Sequence, residues 1–205
     1  MILVTGFEPF AGDTVNPSQL VAERLDGRTI GGRPVTSVVL PVSAARAPGA
    51  LAAAIERHRP RLVVSFGLAG GRAAVNLERV GINVVDARIA DNDGQQAVDT
   101  PILAGGPAAY LATLPLRSIL AEWQSEGIPG ELSNSAGAFI CNQVLYWSLH
   151  LAATGSGHRG GFVHLPYLPE QASLQPQPVA SLGLELMLRA AEIAIEVAGR
   201  ELVTA

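Results

Sequence analysis

The chain has no lysine: all 14 of its basic residues are arginine. That excludes a Walker-type phosphate loop, which needs a lysine to reach the β and γ phosphates, and Schiff-base or pyridoxal chemistry, which needs an amine to form the imine. Cysteine is almost as scarce. With Cys141 alone, no disulfide within the chain and no cysteine-rich zinc site can form, so a reducing, cytoplasmic setting is expected. The scattered histidines offer no metal-ligand spacing, and neither a metal nor a cofactor is expected. Basic residues are outnumbered by the 18 acidic ones, for a formal charge of −4, which argues against a nucleic-acid partner. No stretch approaches the roughly 18 unbroken apolar residues of a membrane helix. The apolar start, Met1 to Thr5, has no basic leader and reaches Gly6 and Glu8 before a signal-peptide core would end. With no repeat, low-complexity tract or charge block to mark a boundary, residues 1–205 are read as one domain.

What is present is enough apolar material for a sizeable core, 48% of 205 residues. Short β-branched runs alternate with helical segments, the pattern of an α/β fold rather than of a bundle or sandwich of sheets. Strands are expected at Met1 to Thr5, Thr36 to Val42, Arg61 to Gly67 and Gly161 to Leu168. Asn16-Pro17 supplies a cap and a first-turn proline for a helix that Gly27 ends. Further helices are expected over Ser43 to Arg59, stopped by Pro60, and over Leu116 to Gln124. Ser133-Asn134-Ser135 offers capping oxygens for a helix over Ala138 to Ala153, closed by Gly155. An amphipathic helix over Val179 to Val203 closes the chain. Val75 to Ala90 reads as irregular strand and loop, and Asp91 to Pro107, rich in Asp, Gly, Gln and Pro, as an exposed loop.

The chemistry question centres on Cys141, which is either a buried packing residue or a nucleophile. It lies close to an expected helix N-terminus, where peptide dipoles favour a thiolate over the first turn. A nucleophilic cysteine needs an imidazole. His150 falls on the opposite face of the same helix, and His58 and His158 read as solvated. His164 interrupts the apolar strand Phe162-Val163-His164-Leu165, as a bonded core residue or a catalyst. Glu78, Asp86, Asp91 and Asp93 are the candidates to hold its tautomer. Glu78 stands in an apolar setting where a carboxylate needs a partner.

Four motifs in order resemble those of the pyroglutamyl peptidase I family of cysteine peptidases, along most of the chain. They are Gly6-Phe7-Glu8-Pro9-Phe10 with Asn16-Pro17-Ser18; Gly70-Gly71-Arg72 with Glu78-Arg79, Asn83, Asp86 and Asp91-Asn92-x-Gly94; Ser133-Asn134-x-Ala136-Gly137-x-Phe139-Ile140-Cys141-Asn142; and Gly161-Phe162-Val163-His164-x-Pro166. The resemblance implies a three-layer α/β/α sandwich around a twisted mixed, mostly parallel sheet, commonly assembled as a homotetramer. It implies Cys141 as nucleophile, His164 as general acid/base and Glu78 as the group that orients the imidazole. The implied substrate is a peptide or amide with a pyroglutamyl N-terminus, its ring held by Phe7, Phe10, Asn16, Phe139 and Ile140; core packing would explain Phe7 and Phe10 equally. Arg88 matches a position near the site and is a candidate oxyanion donor, as is the Cys141 N–H.

Two positions depart from the family pattern: Leu68 where glutamine is frequent, and Ala90 where proline is. The first is expected to change contacts near the substrate, the second to loosen its loop. The competing readings are a non-catalytic lactam-binding protein and a thiol amidase acting on another small amide.

Overall fold

A computed structural model describes residues 1–202. The chain opens with β1 (Ile2–Phe7), α1 (Pro17–Leu25), β2 (Thr29–Ile30), β3 (Arg33–Leu40), α2 (Ala47–His58) and β4 (Leu62–Leu68). The expected punctuation operates here. Asn16 caps α1 by accepting from the Ser18 N–H at 3.0 Å, and α2 ends where Arg59 turns left-handed (φ 44°) ahead of Pro60. There follow β5 (Val75–Glu78), β6 (Val80–Ile82), β7 (Ala109–Leu111), α3 (Leu116–Ser125), β8 (Gly130–Ser133) and α4 (Ile140–Leu151). A π-type turn (Ala152–Ser156) leads into β9 (Arg159–Leu165), α5 (Pro169–Ala172) and α6 (Leu184–Arg200).

Several boundaries differ from the sequence reading. Ser133 ends β8, so Ser133-Asn134-Ser135 caps no helix. α4 begins at Ile140, with Phe139 in the cap position and no side-chain cap. β2 and β8, unanticipated, are two and four residues long and owe their form to sheet pairing rather than to an apolar run. The closing helix starts at Leu184, later than expected, and Val203 lies outside the described residues.

Among the described residues, seven strands form one sheet in the order β2-β3-β1-β4-β9-β5-β8, and β6 pairs with β7 in a separate ribbon. Pairing is parallel except for β2 against β3 and β9 against β5. This is the mixed, mostly parallel sheet that the family resemblance implies. Strand alternation divides its two faces. Ile2, Val4, Leu62, Val64, Phe66, Val75, Leu77, Val163 and Leu165 face one core with α1, α3 and α6. Leu3, Val63 and Phe162 face another with α2 and α4. By the same alternation Glu78 and His164 point to the α2/α4 side.

His158, expected to be solvated, is buried. Its Nε2 lies 3.1 Å from Ser148 Oγ and its Nδ1 2.8 Å from Ser156 Oγ. It thereby fixes the π-type turn to the start of the strand that carries His164. Burial pushes its pKa down to about 4, so the folded protein binds this proton less readily than the unfolded chain. The associated stability is complete above the unfolded value near 6.5 and is lost as pH falls toward 4. Unfolding free energies from urea titrations between pH 7 and 4.5 should therefore fall, by about 2 kcal/mol from this group, and His158→Gln should flatten that part of the profile.

Candidate active site

The site lies at the C-terminal ends of β4 and β9, beside the antiparallel β5, where they meet the N-terminus of α4. Alternation sends Leu77 and Val163 into one core, and so turns Glu78 and His164 the other way, toward α4. His164 Nδ1 is 2.7 Å from Glu78 Oε1. The same oxygen accepts a second hydrogen bond, 2.8 Å from Arg72 Nη1. Arg72 Nη2 also donates to the Ser135 carbonyl at 3.3 Å, in the loop leading to α4. Glu78 has no exposed side-chain surface and His164 only 4%. Among the described residues, Glu78 Oε2 has no hydrogen-bond partner.

Burial pushes the Glu78 carboxyl upward, but the hydrogen bond and charge of His164, with the charge of Arg72, hold it below the ordinary range. His164 is pushed down by burial; Glu78 opposes this and the Arg72 charge adds to it. The pair is therefore an ionised carboxylate facing a neutral imidazole. With Nδ1–H donated to Glu78, the other ring nitrogen is left as a proton acceptor.

Cys141 is the second residue of α4, inside the turn where the helix dipole acts. Asn142, fully buried beside it, anchors this turn. Its Oδ1 accepts from the Ile82 N–H at 2.9 Å, and its Nδ2 donates to the Ile82 and Val84 carbonyls at 2.9 and 3.0 Å. The sulfur sits over Gly67, the register partner of His164 on the adjacent strand. A β-carbon at Gly67 would lie 2.8 Å from Cys141 Sγ and 2.7 Å from Phe162 Cζ, so glycine is what admits the thiol to this face. The dipole does not yield a standing thiolate. Burial, then the Glu78 charge, pushes the thiol up to about 12, against smaller opposing effects from Arg72 and the residue's own N–H.

Cys141 and His164 open into a cavity of about 740 Å³. Of the other residues singled out from sequence, Phe10, Phe139 and Arg88 line it, as does Leu68. Phe7, Asn16 and Ile140 do not. Phe7 is buried with its ring 6.3 Å from that of Phe162, and Ile140 faces the core. Asn16 is committed to the α1 cap and to the Glu8 carbonyl, 3.1 Å from its Nδ2. These three shape the walls from behind. Asp86 reaches the cavity, whereas Asp91 and Asp93 are occupied elsewhere. Asp91 accepts from the N–H groups of Ala44, Asp93 and Gln95, and Asp93 pairs with Arg46 and Ser43. Asn92 ties the same loop to Glu8 and Pro9, so the loop after Ala90 is pinned rather than loosened. His150 meets Tyr110 instead, with Nδ1 2.9 Å from the hydroxyl.

Arg72 and Tyr167 also line the cavity, and the sequence reading gave neither a role. Arg72 was quoted only as part of a motif, although an arginine six residues before a carboxylate in an apolar strand was a usable signal. Tyr167 lies against Gly70, where a β-carbon would come within 2.2 Å of its ring; nothing local in sequence announces that contact. Among the described residues, no three His, Cys, Asp or Glu side chains come together as a metal-holding group, and no helix is long and apolar enough to cross a membrane.

A thiol, an imidazole and a buried carboxylate converging on one cavity of an α/β sheet define a cysteine-type hydrolase site. The family model for pyroglutamyl peptidase matches residues 1–201. Pyrrolidone-carboxylate peptidase of Klebsiella pneumoniae (strain 342) is 50% identical over 201 residues, spanning 98% of this chain and 93% of the relative. The enzyme of the same name from Pyrococcus furiosus is 44% identical, spanning 98% and 99%. The structure of a mutant pyrrolidone carboxyl peptidase from P. furiosus superposes with a TM-score of 0.96 at 44% identity, covering 98% of this chain and 99% of that one. Bacillus amyloliquefaciens pyroglutamyl peptidase I gives 0.94 at 41%, covering 97% and 96%. The chain belongs to the pyroglutamyl peptidase family of cysteine-type hydrolases.

Gly67→Ala should cost about 1–3 kcal/mol of stability through overpacking. Because the displaced neighbour is the thiol itself, iodoacetamide labelling of Cys141, unambiguous in a chain with one cysteine, should change in rate while the protein remains folded by circular dichroism.

Proposed function

We propose that this chain removes an N-terminal pyroglutamyl residue from peptides through a thioester acyl-enzyme. The observation that carries the reading is the 2.7 Å contact of His164 Nδ1 with the buried Glu78 carboxylate, beside a cavity that also holds Cys141. His164 takes the Cys141 proton as the sulfur attacks the pyroglutamyl carbonyl, so that thiolate forms only as it is consumed. The C–S bond forms, the C–N bond breaks, and the same proton passes to the departing amine. Water, deprotonated by His164, then cleaves the thioester to release pyroglutamate and return the thiol. The Cys141 N–H and Arg88 are the donors for the oxyanion of both tetrahedral intermediates.

The lactam ring is neutral and compact. Phe10, Phe139, Leu68 and Ala136 give it apolar walls. We read the chain as a single domain that works in the cytoplasm as a homo-oligomer, a tetramer by resemblance to its family. One free cysteine accords with that setting.

Release of a chromophoric amine from a pyroglutamyl amide in reducing buffer tests the assignment. Turnover is expected from the parent and not from Cys141→Ala, with no turnover of the matching prolyl amide. Glu78→Gln and His164→Gln should each lower kcat/KM by about 10²-fold or more. A folded, reduced parent that binds the lactam without releasing amine would instead be a binding protein; release from an unrelated amide alone would make it a thiol amidase.

A further inference from the structure

Glu78 Oε1 serves two donors at once, and the second belongs to a residue outside the three expected catalytic groups. Arg72 lies in the loop between β4 and β5, and its side chain is 30% exposed along the cavity wall. One end of its guanidinium holds the carboxylate that holds His164, and the other holds the Ser135 carbonyl of the loop entering α4. It thus joins the two halves of the site, imidazole and thiol, through their supports. We propose that Arg72 is a positioning residue for the reaction: by neutralising Glu78 within the buried cluster, it keeps His164 uncharged and available to accept the Cys141 proton. This rests on the peptidase reading for its effect on rate, but its effect on the imidazole does not.

The physical argument is a charge balance. With Arg72 in place, the buried group is one cation, one anion and one neutral ring. Without it, a carboxylate with no exposed surface would keep the imidazole as its one chargeable partner beside the neutral Ser133 hydroxyl, and the cheaper arrangement draws a proton onto His164. An imidazolium cannot serve as the base for Cys141. No other group facing His164 replaces the lost charge. β5 contributes Asn76 and Glu78, β4 contributes Gly67, and α4 contributes the uncharged Cys141. Ser133 of β8 stands opposite Glu78 in register without charge. Across the cavity are Asp13, Asp86, Arg88 and Tyr167, of which Asp86 and Arg88 are exposed to solvent.

The test is the titration of His164 by NMR of imidazole-labelled protein, assigned with His164→Gln, alongside the pH profile of kcat/KM. Arg72→Met should move the His164 midpoint up by about one to two pH units, and the acidic limb of kcat/KM should move with it. Arg72→Lys, which keeps the charge but not the two-ended grip, should return both to near the parent positions while leaving kcat below it. Should Arg72→Met not stay folded, Arg72→Gln makes the same comparison. An unmoved His164 midpoint in the neutral variant, with kcat lower at every pH, would overturn the proposal in favour of a purely structural ion pair. A shifted midpoint in Arg72→Met, together with a parent that turns over no pyroglutamyl substrate, would uphold the charge balance and overturn the peptidase reading alone.

Discussion

A carboxylate with no solvent contact governs this site. Glu78 is tolerable in the interior only as part of a closed set of partners. Those partners fix the side chain of His164 on one strand and the position of Arg72 in a loop. They also fix the loop that delivers Cys141. The sheet makes this arrangement possible by alternation: the residues flanking Glu78 and His164 are spent on the opposite core, which leaves both polar groups on the face where α4 begins. The neutral imidazole, the protonated thiol and the shape of the cavity follow from that face.

The sequence disclosed the parts of this design that depend on residue type and spacing. A lone cysteine, a histidine within an apolar strand and a glutamate in a similar setting stand out because each is costly there without a purpose. The Asn16-Pro17 cap and the Pro60 stop are local chemistry and survived unchanged. What stayed hidden is long-range. Gly130–Ser133 is a strand because β5 offers it hydrogen bonds, and no periodicity over four residues reveals that. Ser133-Asn134-Ser135 has the composition of a helix cap, yet the sheet claims Ser133 and the helix starts later, at a hydrophobic cap position. His158 sits among glycines and serines, a context that reads as loop, and only the fold folds those serines around its ring.

The same division separates the lining residues from their supports. Phe10 and Phe139 reach the cavity, whereas Phe7, Asn16 and Ile140 belong to the same motifs but stand behind it. A motif records residues that are needed, without distinguishing contact with substrate from upkeep of the wall. Leu68 and Ala90, the two departures, separate in a comparable way. Leu68 lines the cavity, while Ala90 precedes a loop held by hydrogen bonds of Asp91, Asn92 and Asp93.

Holding the thiol near 12 has a consequence outside catalysis. Peroxides oxidise the thiolate, not the thiol, and the step to sulfenic acid depends on how much anion is present at rest. A buried cysteine held in the thiol form presents almost no such target. The burial that raises the thiol, with the Glu78 charge adding to it, therefore also withholds from oxidants the anion they need at the one cysteine of the chain.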